Sequence, residues 1–322
     1  MNICTEDVEL LENMLFFFSY KHNGLFCADL ENNTVKKVCT IENEKYRVQR
    51  LYASIVCANA KLFLIPFFAS EIAVYDIRTG EQEKIGLPEH YYFSGKPKFM
   101  PARAVGDYVY IFSLFFPEIY RINIHTNELK MICDWRVPPN NNFVFNPSDA
   151  FFRQQTVFLE NTIYIPYCNA NAILSYNLIN NKSEIISLGS EKNGYSGVCF
   201  DKGRLICSPR TGSSKIAIYD LKSGTVDFSE VEKHFYVGVG IKNNNIWLYD
   251  EAKYLFIKKI DNKWIYYNKI SNTICIWDKD RKVEVVTKYS YDLEDAKLFL
   301  ENGIAYENND LQLKMMIECI SE

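Results

Sequence analysis

Ile72–Ile85 reads IAVYDIRTGEQEKI, and Ile216–Phe228 reads IAIYDLKSGTVDF. Each is an alternating apolar strand, then Asp, then a polar turn with Gly, then a second strand. Alternation sends successive side chains to opposite faces of a sheet. The Asp carboxylate can accept hydrogen bonds from the backbone of the turn that follows. Gly tolerates the positive φ that such turns require. These stretches predict β-hairpins.

The same unit recurs at Leu25–Val38 (LFCADLENNTVKKV), Ile119–Ile132 (IYRINIHTNELKMI), Ile173–Ile186 (ILSYNLINNKSEII) and Ile274–Val286 (ICIWDKDRKVEVV). Its Asp or Asn falls at Asp29, Asp76, Asn123, Asn177, Asp220 and Asp278, spaced by 47, 47, 54, 43 and 58 residues. A second unit, strand, short turn and strand, precedes most hairpins. Examples are Ile55–Ile65, Ala104–Phe112, Val157–Tyr167, Val198–Cys207 and Val237–Tyr249. Joined, the two units make four antiparallel strands in roughly 45 residues, the content of a propeller blade. Strands paired only to sequence neighbours leave exposed edges, and radial closure protects them.

The expectation is an all-β fold, a single closed β-propeller domain over residues 1–322 built of four-stranded antiparallel blades. Leu298–Tyr306 (LFLENGIAY) is similar to VFLENTIY at Val157–Tyr164, and Leu311–Cys319 alternates again. With Asn2–Thr5 as the missing outer strand, the N- and C-terminal strands would share a closing blade and the count is seven. Phe235–Val286 is too long for one blade and too short for two. Six blades with an embellished last one is therefore the alternative.

The hairpin consensus, I-x-x-[YW]-[DN]-x-x-[ST]-G, resembles the third-strand signature shared by several β-propeller families. ICIWDKD at Ile274–Asp280 looks like a WD40 third strand. The Gly-His pair usual in WD40 blades is missing, as is the Gly-Gly pair usual in Kelch blades. The repeats are similar at least as much to Kelch-like and quinoprotein-like propellers. The resemblance covers nearly the whole chain and implies a fold rather than an activity, because propellers host binding modules, hydrolases, lyases and oxidoreductases. It also implies a ligand face, made by the loops entering each innermost strand and those joining second to third strands.

Composition narrows the partners. The net charge is −4 over 322 residues and no basic block occurs, so a nucleic-acid footprint is not expected. The longest apolar runs, such as Met14–Phe18 and Leu62–Phe68, are strand-sized, and no membrane span is expected. The acidic start MNICTEDVELLEN lacks the positive region of a secretory signal. Ten cysteines are scattered singly without a CxxC pair, which fits free thiols in a reducing, cytoplasmic setting. The 22 Tyr and 22 Phe suit pleated, half-buried surfaces.

Candidate sites fall on the entry segments, of which 89–101, 136–153 and 191–197 are long and irregular. Arg50, Arg103 and Arg153 lie in or just before innermost strands of three successive blades. Converging at the channel mouth, they would bind a carboxylate or phosphate through bidentate hydrogen bonds. Facing different ways, they would pair with nearby acids instead. Tyr91, Tyr92 and Phe93, then Phe115 and Phe116, then Phe67 and Phe68, are aromatic loop clusters. They could anchor a peptide or sugar or pack between blades. His90 is a possible acid or base or a solvated loop residue. HxH, HExxH and GxSxG motifs are missing, so neither a metal nor a cofactor is expected. Two readings result. One is a non-catalytic binding propeller that recognises a protein, peptide or small anionic ligand on its loop face. The other is a hydrolase or lyase acting on an anionic substrate at the channel mouth, which requires the arginines to meet His90 or Tyr91.

Overall fold

The computed structural model describes residues 3–19, 23–44, 50–93, 95–134, 150–189, 194–210, 215–242, 244–278 and 281–286. Six four-stranded antiparallel sheets and one two-stranded sheet are arranged as a β-propeller. The first blade is β1 (Val8–Leu11), β2 (Met14–Phe18), β3 (Leu25–Asp29) and β4 (Thr34–Cys39). The second is β5 (Tyr52–Ala58), β6 (Lys61–Pro66), β7 (Ile72–Asp76) and β8 (Gln82–Ile85). One helical turn, α1 (His90–Phe93), leads to the third: β9 (Phe99–Val105), β10 (Tyr108–Ser113), β11 (Glu118–Asn123) and β12 (Leu129–Asp134). The fourth is β13 (Val157–Leu159), β14 (Thr162–Pro166), β15 (Ala172–Asn177) and β16 (Lys182–Ser187). The fifth is β17 (Tyr195–Asp201), β18 (Arg204–Pro209), β19 (Lys215–Asp220) and β20 (Val226–Glu230). Then come the half-blade β21 (Tyr236–Lys242) and β22 (Asn245–Asp250), and the last blade, β23 (Tyr254–Ile260), β24 (Lys263–Asn268), β25 (Thr273–Asp278) and β26 (Arg281–Val286).

Six four-stranded blades is the alternative count. Phe235–Val286 resolves into one and a half blades, which is why its length fitted neither one nor two. The proposed closing blade would use Asn2 and Leu298–Cys319, which lie outside the described residues. The first blade completes itself, because Val8–Phe18 supplies its inner hairpin.

The turns follow from the repeated Asp or Asn. The Oδ1 of Asp29, Asp76, Asn123, Asn177 and Asp220 each accepts from the backbone N–H groups two and three residues on. Four residues on, Asn33, Gly80, Asn127, Asn181 and Gly224 take φ between 51° and 76°. Tyr267-Asn268-Lys269-Ile270-Ser271-Asn272 repeats this turn between β24 and β25, with Asn272 at φ 53°. The last blade thus carries its marker at Asn268, whereas Asp278 pairs directly with Arg281 across a shorter turn.

Core forms between blades, not within them. Phe63, Ile65 and Val74 of the second blade pack on Val109, Ile111 and Ile122 of the third. Phe112 of the third meets Phe152, Ile163, Ile165 and Tyr176 of the fourth. Val8, Leu15 and Phe17 of the first blade share a cluster with Phe256, Ile265 and Ile274 of the last. Gln155, just before β13, crosses to the half-blade: its Nε2 donates to Val239 O (2.5 Å) and its Oε1 accepts from Val239 N (2.9 Å). The segment 154–155 therefore lies across the central channel, with a cavity on each side.

Candidate ligand site at the channel mouth

One cavity of about 130 Å³ opens on the face where the innermost strands begin. Its walls come from every blade. Glu6 precedes β1, Arg50 precedes β5, Arg153 and Gln154 precede β13, and Arg210 follows β18. Phe67 and Phe115, each just after a second strand, add apolar walls. This is the face formed by innermost-strand entries and second-to-third-strand loops.

Charge is concentrated there. Arg50 Nη2 stands 2.9 Å from Glu6 Oε1, and its guanidinium lies 5.1 Å from the Phe67 ring centroid. Arg153 Nη2 is 3.8 Å from Glu251 Oε1. Glu6 is buried, and burial pushes its carboxyl up to about 7 against the opposing pull of Arg50 and Arg153. Glu6 is the one carboxylate among the described lining residues, facing three arginines. Glu6 Oε2 and Gln154 Nε2 are buried without a protein hydrogen-bond partner. Buried polar atoms normally find partners, so these two present unused capacity to the cavity.

The sequence candidates separate into three places. Arg50, Arg153 and Phe115 meet at the mouth, with Lys96 Nζ 4.9 Å from the Phe115 ring. Arg103 lies on β9, lining the cavity at the opposite end of the channel. His90, Tyr91 and Phe116 line neither cavity and form a separate knot around Glu118. Glu118 Oε2 accepts from the hydroxyls of Tyr91 (2.9 Å) and Tyr120 (2.7 Å) and lies 3.1 Å from His90 Nε2. Tyr91 is buried, packed on Phe99 and Phe116. Tyr92 is exposed, and its hydroxyl accepts from Leu87 N.

Glu6, Gln154 and Arg210 escaped the sequence reading. Arg210 did carry a signal. It follows Ser208-Pro209 at the end of β18 as Phe67 follows Ile65-Pro66 at the end of β6, and both residues line the mouth. Among the described residues no group of three or more His, Cys, Asp or Glu could hold a metal ion. Among the described residues no helix is long and apolar enough to cross a membrane.

No family model and no curated protein sequence matches the chain. Solved structures resemble it in fold. The computationally designed Ika8 protein matches with a TM-score of 0.57 at 11% identity, over 91% of this chain and 92% of its own. A chain of the Mitotic Checkpoint Complex matches with a TM-score of 0.55 at 8% identity, over 90% of this chain and 80% of its own. The extracellular domain of a B. thetaiotaomicron protein, assigned as a hybrid two component system, matches with a TM-score of 0.55 at 14% identity, over 90% of this chain. This chain spans 39% of that domain. At such identities the likeness concerns architecture alone.

Proposed function

We propose that this propeller is a binding module that holds a carboxylate group, from a small acid or an acidic side chain of a peptide, at its channel mouth. The observation that carries this reading is the meeting of Arg50, Arg153 and Arg210 in one cavity with a single lining carboxylate, Glu6. Guanidinium groups bind carboxylates bidentately, with fixed geometry. A cavity of about 130 Å³ suits a side-chain-sized group rather than a large ligand. The acid or base required by the hydrolase or lyase reading, His90 or Tyr91, sits in the Glu118 knot instead. The same reading places the protein in a reducing, cytoplasmic setting, supported by nine described cysteines that are free thiols. It includes neither nucleic-acid nor membrane partners, in keeping with a net charge of −4.

Calorimetric titration with citrate and with a glutamate-rich peptide tests it. Arg153→Ala, which removes a half-exposed guanidinium from the mouth, should weaken binding by roughly tenfold to a hundredfold, the value of one charged hydrogen-bonding group. Arg153→Lys should recover only part, because the ammonium lacks the fork. Equal affinity in the wild type and Arg153→Ala would refute the assignment.

A further inference from the structure

We propose that the cavity at the opposite end of the channel is a second ligand site, which takes a small aromatic anion such as an aryl phosphate. It has a volume of about 280 Å³, more than twice that of the mouth. The two cavities share no lining residue, and Gln154–Gln155 stand between them. The site therefore goes beyond the carboxylate reading and can stand or fall without it.

Two cations, Arg103 and Lys259, line this cavity, and neither forms an ion pair with a described residue. Arg103 forms no ion pair with a described residue; its guanidinium stands 5.5 Å from the Phe158 ring centroid. The acid that acts on it, Glu9, is already held at 3.1 Å by Lys258. Burial lowers the pKa of Arg103, a sign that water solvates its charge poorly. Lys259 reaches in from β23, with its ammonium 5.7 Å from the Trp264 ring centroid and no ion pair among the described residues. Asp261 is the one carboxylate among the described lining residues. A poorly solvated guanidinium whose nearby acid, Glu9, is held by Lys258 gains from an anion with two oxygens that meets its fork. Phe158, Phe200 and Trp264 line the same cavity and supply apolar surface for an aromatic body. The combination of two cations and three aromatic rings selects a ligand with a charged end and a flat apolar end.

The test is calorimetric titration of the full chain with phenyl phosphate and, separately, with inorganic phosphate. Phenyl phosphate should bind saturably and at least about tenfold more tightly than inorganic phosphate, the ring supplying the difference. Lys259→Glu changes an exposed position, so the fold should survive, and it should weaken phenyl phosphate by about tenfold or more. Arg103→Ala should do the same, while Arg153→Ala at the other cavity should leave the affinity unchanged. Three results would overturn the proposal: no saturable binding, wild-type affinity in Lys259→Glu, or loss of binding in Arg153→Ala. The last would move the ligand to the mouth and leave the carboxylate reading intact.

Discussion

Glu6 determines how the mouth responds to pH. Its carboxyl titrates near 7 in the fold against 4.5 in a free chain, because burial disfavours the charged form. Across that interval the folded chain keeps a proton that the unfolded chain has lost. The stability this group contributes is therefore complete below 4.5 and declines as pH rises through about 7, by roughly 3 kcal/mol in all. Binding follows the same sign. Above about 7 an ionised Glu6 competes with the ligand for Arg50, 2.9 Å away. Citrate affinity should thus fall as pH rises through neutrality, and Glu6→Gln should flatten that profile. Parallel slopes for the two proteins in calorimetry would show that another group titrates. At this scale Arg50 and Arg153 were legible in the sequence, because each sits at a repeat boundary. Glu6 was not, since its role depends on arginines 44 and 147 residues further along the chain.

Strands and turns were the most legible level, because their signals are local. Alternation and the Asp or Asn of each hairpin located β3–β4, β7–β8, β11–β12, β15–β16 and β19–β20. The hairpin expected at Ile274–Val286 forms as β25–β26, but with Asp278 paired to Arg281, and the Asx turn of the other hairpins recurs one connection earlier, at Asn268. What local pattern does not encode is how closely innermost strands approach across the channel. There Gln155 and β23 come so near β21 that a Cβ on Gly238 would lie 2.4 Å from both Gln155 Oε1 and Ile257 Cγ2. Gly238→Ala should therefore push Gln155 off Val239 and destabilise the fold by about 1–3 kcal/mol, the usual cost of overpacking. Denaturant unfolding measures this directly, and a wild-type midpoint would contradict the close approach.

Ring integrity belongs to the whole molecule, and one largely buried lysine joins three blades to provide it. Lys258 on β23 reaches the first blade, with Nζ 3.1 Å from Asp7 Oδ1, 3.1 Å from Glu9 Oε2 and donating to Val8 O at 2.8 Å. It also donates to Ile55 O on β5 at 3.2 Å. Asp7 adds its own bridge, accepting from Ile55 N at 3.0 Å. Burial pulls the Lys258 pKa down, but the two carboxylates outweigh it and the net direction is upward, so the ammonium stays charged. Burial likewise raises Asp7 and Glu9, which marks how strongly both depend on that ammonium. Removing one partner of a buried ion cluster leaves uncompensated charge, at a cost of about 3–5 kcal/mol. Lys258→Met should incur that cost in denaturant unfolding, more than the loss of any exposed ion pair, worth about 0–1 kcal/mol. Adding Asp7→Asn to Lys258→Met should recover part of the loss, because one of the stranded charges is gone. Strictly additive penalties would mean that Lys258 and Asp7 stabilise the ring independently, and a loss below about 1 kcal/mol for Lys258→Met would place the closure in the apolar seam of Phe17, Phe256 and Ile265 alone.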